Sequence, residues 1–174
     1  MIELLIGMIG SGKSSYARRR ADQGCLCVNH DELTRMLHGG RPRYEPGLRQ
    51  CYAEMLGHLM VSAFEAGRDI VIDRTHLTRE SRKFWVDLGR YLGIEVVAVT
   101  FPIHDAELHA RRRYDADPRD RTLEEWRFVA RHHAEQAAAE PLGDDEGFAR
   151  IYDVSWDGST EANLRVYERK GVGP

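Results

Sequence analysis

The chain has 174 residues, 42% hydrophobic and 30% charged, which suits one soluble globular domain with a single core. A net charge of −3 excludes a broadly basic surface for long nucleic acid, so any such contact must be local. No apolar run approaches a membrane span, and no basic region with a long apolar stretch opens the chain, so neither membrane segment nor signal peptide is expected and the expected location is cytoplasmic.

The first strand is expected over Ile2 to Ile6. Directly after it stands Gly7-Met8-Ile9-Gly10-Ser11-Gly12-Lys13-Ser14, and a helical pattern from about Lys13 to Asp22 follows. This is the phosphate-loop spacing G-x-x-x-x-G-K-[ST] in the strand–loop–helix context it requires. Glycine permits backbone angles that let successive N–H groups converge on an anion, and the helix N-terminus adds partial positive charge. Gly7, Ile9, Gly10, Ser11, Gly12, Lys13, Ser14 and Ser15 are read as nucleotide-binding. Lys13 would reach the β- and γ-phosphates of ATP, and the Ser14 hydroxyl would ligate Mg2+. Arg18, Arg19 and Arg20 near the helix end read as a solvated face suited to the helix dipole.

The second strand is expected over Cys25 to Asn29, with Cys25 and Cys27 on one face as small apolar groups. The three cysteines, Cys25, Cys27 and Cys51, give no disulfide framework and no zinc spacing. A short helix from about Glu32 to Leu37 ends at Gly39-Gly40, and Arg41 to Pro46 reads as a loop. Leu48, Cys51, Tyr52, Met55, Leu56, Leu59, Met60, Ala63 and Phe64 recur at helical spacing. The third strand is expected over Asp69 to Ile72, a helix over Arg79 to Tyr91, and the fourth strand over Glu95 to Phe101. A helix from Asp105 to Arg113 leads to a charged loop, Tyr114 to Arg121. Thr122-Leu123-Glu124-Glu125 has capping-box form and should start a helix to about Ala139. A fifth strand, Ala149 to Val154, and a last helix, Glu161 to Lys170, complete the pattern. Alternating strands and helices predict an α/β fold with a five-stranded parallel sheet flanked by helices.

Two carboxylates fall where such a sheet opens its ligand crevice, at the carboxyl ends of strands. Asp31, in Asn29-His30-Asp31-Glu32, reads either as an acceptor of a hydroxyl proton or as a helix N-cap. Asp73, in Ile72-Asp73-Arg74-Thr75-His76, reads as a magnesium holder, acting through water, with a cap or turn as the alternative. Arg111, Arg112 and Arg113 precede the charged loop, where positive charge would meet the γ-phosphoryl group.

The ordered set resembles the P-loop kinases related to the 5′-kinase domain of bacteriophage polynucleotide kinase. The resemblance runs from Ile2 to about Asp153. It rests on Gly7 to Ser14, on Asn29 to Glu32, on Ile72-Asp73-Arg74-Thr75-His76-Leu77 (similar to the family's D-x-T-N-L segment), on the Arg-rich stretch from Arg111, and on Glu140-Pro141 with Glu146-Gly147-Phe148. It implies a P-loop kinase fold over 1–174 as one domain, with an Arg-rich helical lid at about 111–122. It implies Asp31 as general base, Lys13, Arg111 and Arg112 as catalytic, and Arg35, Arg41, Arg43, Thr75 and His76 as acceptor-binding. The implied reaction is transfer from ATP to a 5′-hydroxyl of DNA or RNA, or a related nucleic-acid hydroxyl such as a hydroxymethylated base. Relatives also phosphorylate small molecules and nucleotide sugars, and a P-loop ATPase switch is the reading of another class. Two departures stand out. The family's arginine three residues after the base is Thr34 here, with Arg35 one position later, about 100° around a helix. The family's Asn after the threonine is His76.

Overall fold

The computed structural model describes residues 1–41, 45–118, 120–155 and 165–169. Strands β1 (Ile2–Ile6), β2 (Leu26–Val28), β3 (Ile70–Ile72), β4 (Val96–Thr100), β5 (Arg150–Ser155) and β6 (Arg165–Glu168) form one sheet in the order β2-β3-β1-β4-β5-β6. The first five strands run parallel, and β6 pairs antiparallel with β5. Helices α1 (Lys13–Asp22), α2 (His30–Leu37), α3 (Arg49–Glu65), α4 (Arg79–Leu92), α5 (Ala106–Ala116) and α6 (Leu123–Ala139) fill the connections.

The sheet is therefore six-stranded, not five. The sixth strand falls where a last helix was expected, and residues 161–164 and 170 of that expectation lie outside the described residues. Arg165-Val166-Tyr167-Glu168 carries a β-branched and an aromatic residue, which favour a pleated surface, and pairing with β5 satisfies that strand's outer backbone groups. Arg169 then locks the pairing, donating from Nε and Nη2 to the Asp153 carboxylate at 3.0 and 2.6 Å.

Burial on both faces explains why the central strands are nearly all apolar. Ile2, Leu4 and Ile6 of β1 pack with Leu56 and Met60 of α3 and Trp85 and Val86 of α4 on one face. Leu5 packs on the other face with Ala17 of α1, Val71, Val99 and Phe101. Glu3 breaks the apolar run, and a buried carboxylate needs a partner. Arg20 supplies it, from Nε and Nη2 at 2.9 and 2.5 Å, and the Tyr16 hydroxyl donates at 2.9 Å. Arg20 is thus committed to the core rather than to a solvated face. Cys25 is buried as expected, but Cys27 is exposed, because β2 is an edge strand.

Helix α2 starts at His30, two residues before the sequence expectation, since Asn29 caps it, and α5 runs on to Ala116 through the expected loop. The capping box at α6 forms as read: Glu125 N donates to Thr122 Oγ1 at 3.3 Å, and Thr122 N donates to Glu125 Oε2 at 2.8 Å. Helices α5 and α6 pack as a hairpin around Ala110, Trp126 and Ala130, and Met8 of the loop after β1 enters the same cluster. Arg127 of α6 grips Glu107 of α5 at 2.7 and 2.8 Å.

Candidate active site

The loop between β1 and α1 closes through three glycines with different reasons for being glycine. A Cβ on Gly7 would stand 2.9 Å from Phe101 Cβ and 3.0 Å from Ser11 Oγ, too close for any side chain. Gly10, at φ 63, would meet the His109 carbonyl oxygen at 2.6 Å. Gly12, at φ 95, turns the chain into α1 as its N-cap. Gly7 N donates to Thr75 O at 2.9 Å, and His133 Nδ1 lies 3.5 Å from Ile9 N. Ser11 is fully buried within the loop.

Lys13 lies folded over this loop, its Nζ donating to Met8 O at 2.5 Å with Ser11 Oγ at 3.4 Å. Burial lowers the ammonium to about 8, while the nearby Asp73 carboxylate pulls the other way. Ser14, next along α1, is exposed, whereas Ser15 is buried and accepts from Arg18 Nη2 at 3.1 Å. Asp73 follows β3 directly and is buried, holding Asn29 Nδ2 at 3.0 Å.

Asn29 was not singled out from sequence, yet it joins two parts of the site. Its Oδ1 accepts from Asp31 N at 2.8 Å and Glu32 N at 3.1 Å, capping α2, while its amide holds Asp73. The cap alternative for Asp31 therefore falls to Asn29. Asp31 presents a side chain that is 91% exposed, with His30 Nδ1 3.8 Å from Oδ1. His30 beside it, with Arg74 and Arg113 further off, holds the Asp31 carboxyl below its ordinary value.

A crevice of about 320 Å³ opens between these parts. Gly10, Gly12, Lys13, Ser14 and Ser15 wall it on one side, Asp31 and Arg35 on a second, and Arg112 and Arg113 on a third. The register question at α2 resolves simply. Thr34 is buried and donates to Asp31 O at 2.9 Å, so it faces the core. Arg35 stands four residues after Asp31, on the same helix face, and lines the same crevice. Its Nε is buried with no hydrogen-bond partner among the described residues.

The three arginines expected of a lid divide. Arg112 and Arg113 reach the crevice, with Arg113 donating to Asp120 Oδ2 at 2.7 Å and lying 4.5 Å over the Trp126 ring. Arg111 does not line it: that side chain is 61% exposed and pairs with Glu107 at 2.8 Å one turn back along α5. Helix periodicity separates the triplet, because consecutive residues point about 100° apart. Arg18, read from sequence as solvated, does line the crevice.

Among the expected acceptor residues, Arg41 is exposed and outside the crevice lining, and Arg43 lies outside the described residues. Thr75 supports the phosphate loop through its carbonyl. His76 is a correction. It is buried, its Nδ1 2.8 Å from Leu5 O and its Nε2 accepting from Trp85 Nε1 at 2.8 Å, so both ring nitrogens are used inside the protein. Burial pushes its imidazole down to about 3.

A phosphate loop after β1, a carboxylate after β3, a parallel sheet with β1 between β3 and β4, and a helical hairpin over the loop define a P-loop fold of the kinase type. Residues 2–128 match the family described as AAA domain, and the chain belongs to that family. Among solved structures, that of the Pnkp1/Rnl/Hen1 RNA repair complex superposes with a TM-score of 0.63 at 20% identity, covering 79% of this chain and 44% of that one. This chain therefore spans less than half of that relative's length. A gluconokinase from Sinorhizobium meliloti 1021 superposes with a TM-score of 0.53 at 17% identity, covering 90% and 84%. A structure from the PezAT chromosomal toxin-antitoxin system of Streptococcus pneumoniae gives 0.57 at 19% identity, covering 97% and 70%. These likenesses establish a shared fold. No curated protein matches the sequence. No helix among the described residues is long and apolar enough to cross a membrane.

Proposed function

We propose that the chain is an ATP- and magnesium-dependent kinase that transfers the γ-phosphoryl group to an acceptor hydroxyl. The observation that carries this reading is a carboxylate facing a phosphate loop across one crevice. Asp31, exposed and ionised, stands opposite Lys13, and Arg112 and Arg113 close the third side. In-line transfer needs an oriented hydroxyl, a place for its proton, and fixed positive charge around the moving group. Asp31 accepts the hydroxyl proton at its carboxylate. Lys13, Arg112 and Arg113 stabilise the charge on the transferred oxygens.

The residues fit magnesium. The ion takes one or two protein oxygens and completes its shell from phosphate and water. Ser14 lines the crevice, and the Asp73 carboxylate, bonded to crevice-lining Asn29 though not itself in the lining, has one oxygen beyond that bond. These two would hold the ion, directly or through water, and it would neutralise charge between the β- and γ-phosphates.

The crevice balance favours an anionic acceptor. Arg18, Lys13, Arg35, Arg112 and Arg113 face it against Asp31 and Glu32, five cations to two carboxylates. Arg35 stands beside Asp31 on the α2 side, where an acceptor phosphate would lie. The acceptor is accordingly a 5′-hydroxyl of DNA or RNA, or a related nucleic-acid hydroxyl. The test offers γ-labelled ATP with magnesium against 5′-hydroxyl oligonucleotides, nucleosides and a metabolite panel. Label on oligonucleotides is the expected result. Label on a small metabolite alone would make this a small-molecule kinase, and phosphate release indifferent to every acceptor would make it an ATPase switch.

A further inference from the structure

We propose that His76 is a positioning residue of the phosphate loop, a side-chain substitute for a strand that ends too early. The inference rests on the nucleotide-binding reading of that loop.

The need arises in the sheet. β3 reaches Ile72, which pairs with Leu4, while β1 continues beside β4 to Ile6, paired with Thr100. Alternate residues of a strand turn their backbone groups to opposite sides. In β1 the even residues face β4: Ile2 N donates to Glu95 O at 2.8 Å, and Ile6 O accepts from Phe101 N at 2.8 Å. The odd residues face β3, as Met1 O does in accepting from Ile70 N at 3.0 Å. Leu5 O and Gly7 N therefore look toward β3 beyond the point where it has stopped. Buried backbone groups without partners are costly.

The turn between β3 and α4 fills both places. Thr75 O accepts from Gly7 N at 2.9 Å, and His76 reaches Leu5 O with its ring at 2.8 Å. The proton position follows from the chemistry. An indole N–H can only donate, so the Trp85 bond at 2.8 Å makes Nε2 an acceptor. The ring proton is then on Nδ1 and points at Leu5 O. A neutral ring suits the surroundings, where Lys13, Arg74 and Arg82 are all cationic.

The turn is itself held firmly. His76 has φ 44, the one positive φ at a non-glycine among the described residues. Such a conformation persists where surrounding contacts fix it. Arg82, 1% exposed, donates from Nη1 to His76 O at 3.2 Å and Leu77 O at 2.9 Å. Its Nε and Nη2 grip Glu146 at 2.7 and 2.8 Å, and Nη2 also reaches Glu140 O at 3.1 Å. The chain from Glu146 through Arg82 and His76 to Leu5 sets the direction in which β1 enters the loop, just ahead of Gly7.

Two measurements test this. Nitrogen-15 NMR of the wild-type protein at pH 7 should show His76 as a single Nδ1–H tautomer. Calorimetric titration with ATP and magnesium should show His76→Ala losing about tenfold or more in affinity, since small misplacements of binding groups are costly. His76→Asn should restore most of it, because Asn tolerates a left-handed backbone and its amide N–H can replace Nδ1–H. Trp85→Phe keeps the ring but removes its anchor. That variant should mix the tautomers and weaken ATP binding less than His76→Ala, which keeps the test open where the alanine protein does not fold. A role in stability alone would lower the melting temperature while the folded variants bind ATP like wild type. That outcome, or an Nε2–H tautomer in the wild type, overturns the proposal. Wild-type protein that binds no ATP overturns the nucleotide reading instead, and the tautomer still decides the hydrogen bond.

Discussion

The two sides of the crevice, proposed above as donor and acceptor sides, are built by different means. On the donor side, position comes from the main chain: glycines that exclude side chains, a strand continued by a braced turn, and a lysine folded into the loop. On the proposed acceptor side, position comes from side chains on the surfaces of α2 and α5, with Asp31 largely exposed and Arg113 held by Asp120 and the Trp126 ring. The two halves should therefore fail differently. Changes on the donor side should destroy transfer with any acceptor, and changes on the acceptor side should alter which acceptor is used and how salt affects it.

The largest expected effect is at the centre of the donor side. Lys13→Ala should lower phosphoryl transfer by about 10³-fold, by loss of the charge that meets the moving phosphoryl oxygens. The fold should survive, because among the described residues the lysine head group hydrogen-bonds to its own loop, at Met8 O and Ser11 Oγ. Turnover by a folded variant, checked by circular dichroism and measured with saturating ATP, decides the matter. Near-normal turnover would remove the donor side as drawn. The lowered ammonium adds a pH signature. Below about 8 Lys13 is charged, and above it the free protein loses that charge, so kcat/KM should fall on an alkaline limb near pH 8. Bound phosphate favours the charged form, so the limb in kcat should lie higher.

Asp31→Asn comes next, at about 10²- to 10⁴-fold in kcat with ATP affinity nearly unchanged, since general-base catalysis contributes on that order. Asparagine keeps the shape, and the helix cap is Asn29 in either case. The wild-type acid limb has a definite sign. The Asp31 carboxyl is held below its ordinary value, so the base is present through neutral pH and is lost only as pH falls through that depressed value. His30→Gln should move this limb upward, because His30 is the main cause of the depression. An acid limb unmoved in His30→Gln, or full activity in Asp31→Asn, would leave Asp31 as a surface residue.

The same contrast explains what could be read from the sequence. The donor side has fixed spacing, because a phosphate loop is a run of neighbouring residues with one backbone geometry, and Gly7 to Ser14 therefore announced itself. The central strands β1, β3 and β4 were legible for the reason that both of their faces are covered. β6 was not, since Arg165 to Glu168 is a short edge segment with no apolar run. Asn29 was missed because its three hydrogen bonds join two neighbours in sequence to one residue 44 positions away. His76 was misplaced because the resemblance carries an acceptor role onto the position that follows Thr75. Only the length mismatch of β1 and β3 reveals that it fills a backbone gap. Arg18 and Arg111 were assigned by neighbourhood: Arg18 is exposed as read but also lines the crevice, and helix phase carries Arg111 outside that lining.

The smallest effects should separate arginines that share a sequence neighbourhood. Arg35 lines the crevice beside Asp31, whereas Arg111 lies outside that lining and pairs with Glu107, which Arg127 of α6 also grips. With a nucleic-acid acceptor, Arg35→Ala should raise the acceptor KM several-fold and flatten its dependence on salt, because each phosphate contact releases counterions when formed. Its effect on ATP affinity should be slight, since Arg35 stands across the crevice from the loop. Arg111→Ala should change neither parameter, as an exposed pair one turn apart on a helix adds little. Steady-state kinetics at several salt concentrations reads both variants in one experiment. Equal losses in the two would mean that the lid rearranges to bring Arg111 inward, and the acceptor side would then have to be redrawn around a moving α5. A KM that ignores both salt and Arg35 would point to an uncharged acceptor, and the excess of cations in the crevice would belong to the triphosphate alone.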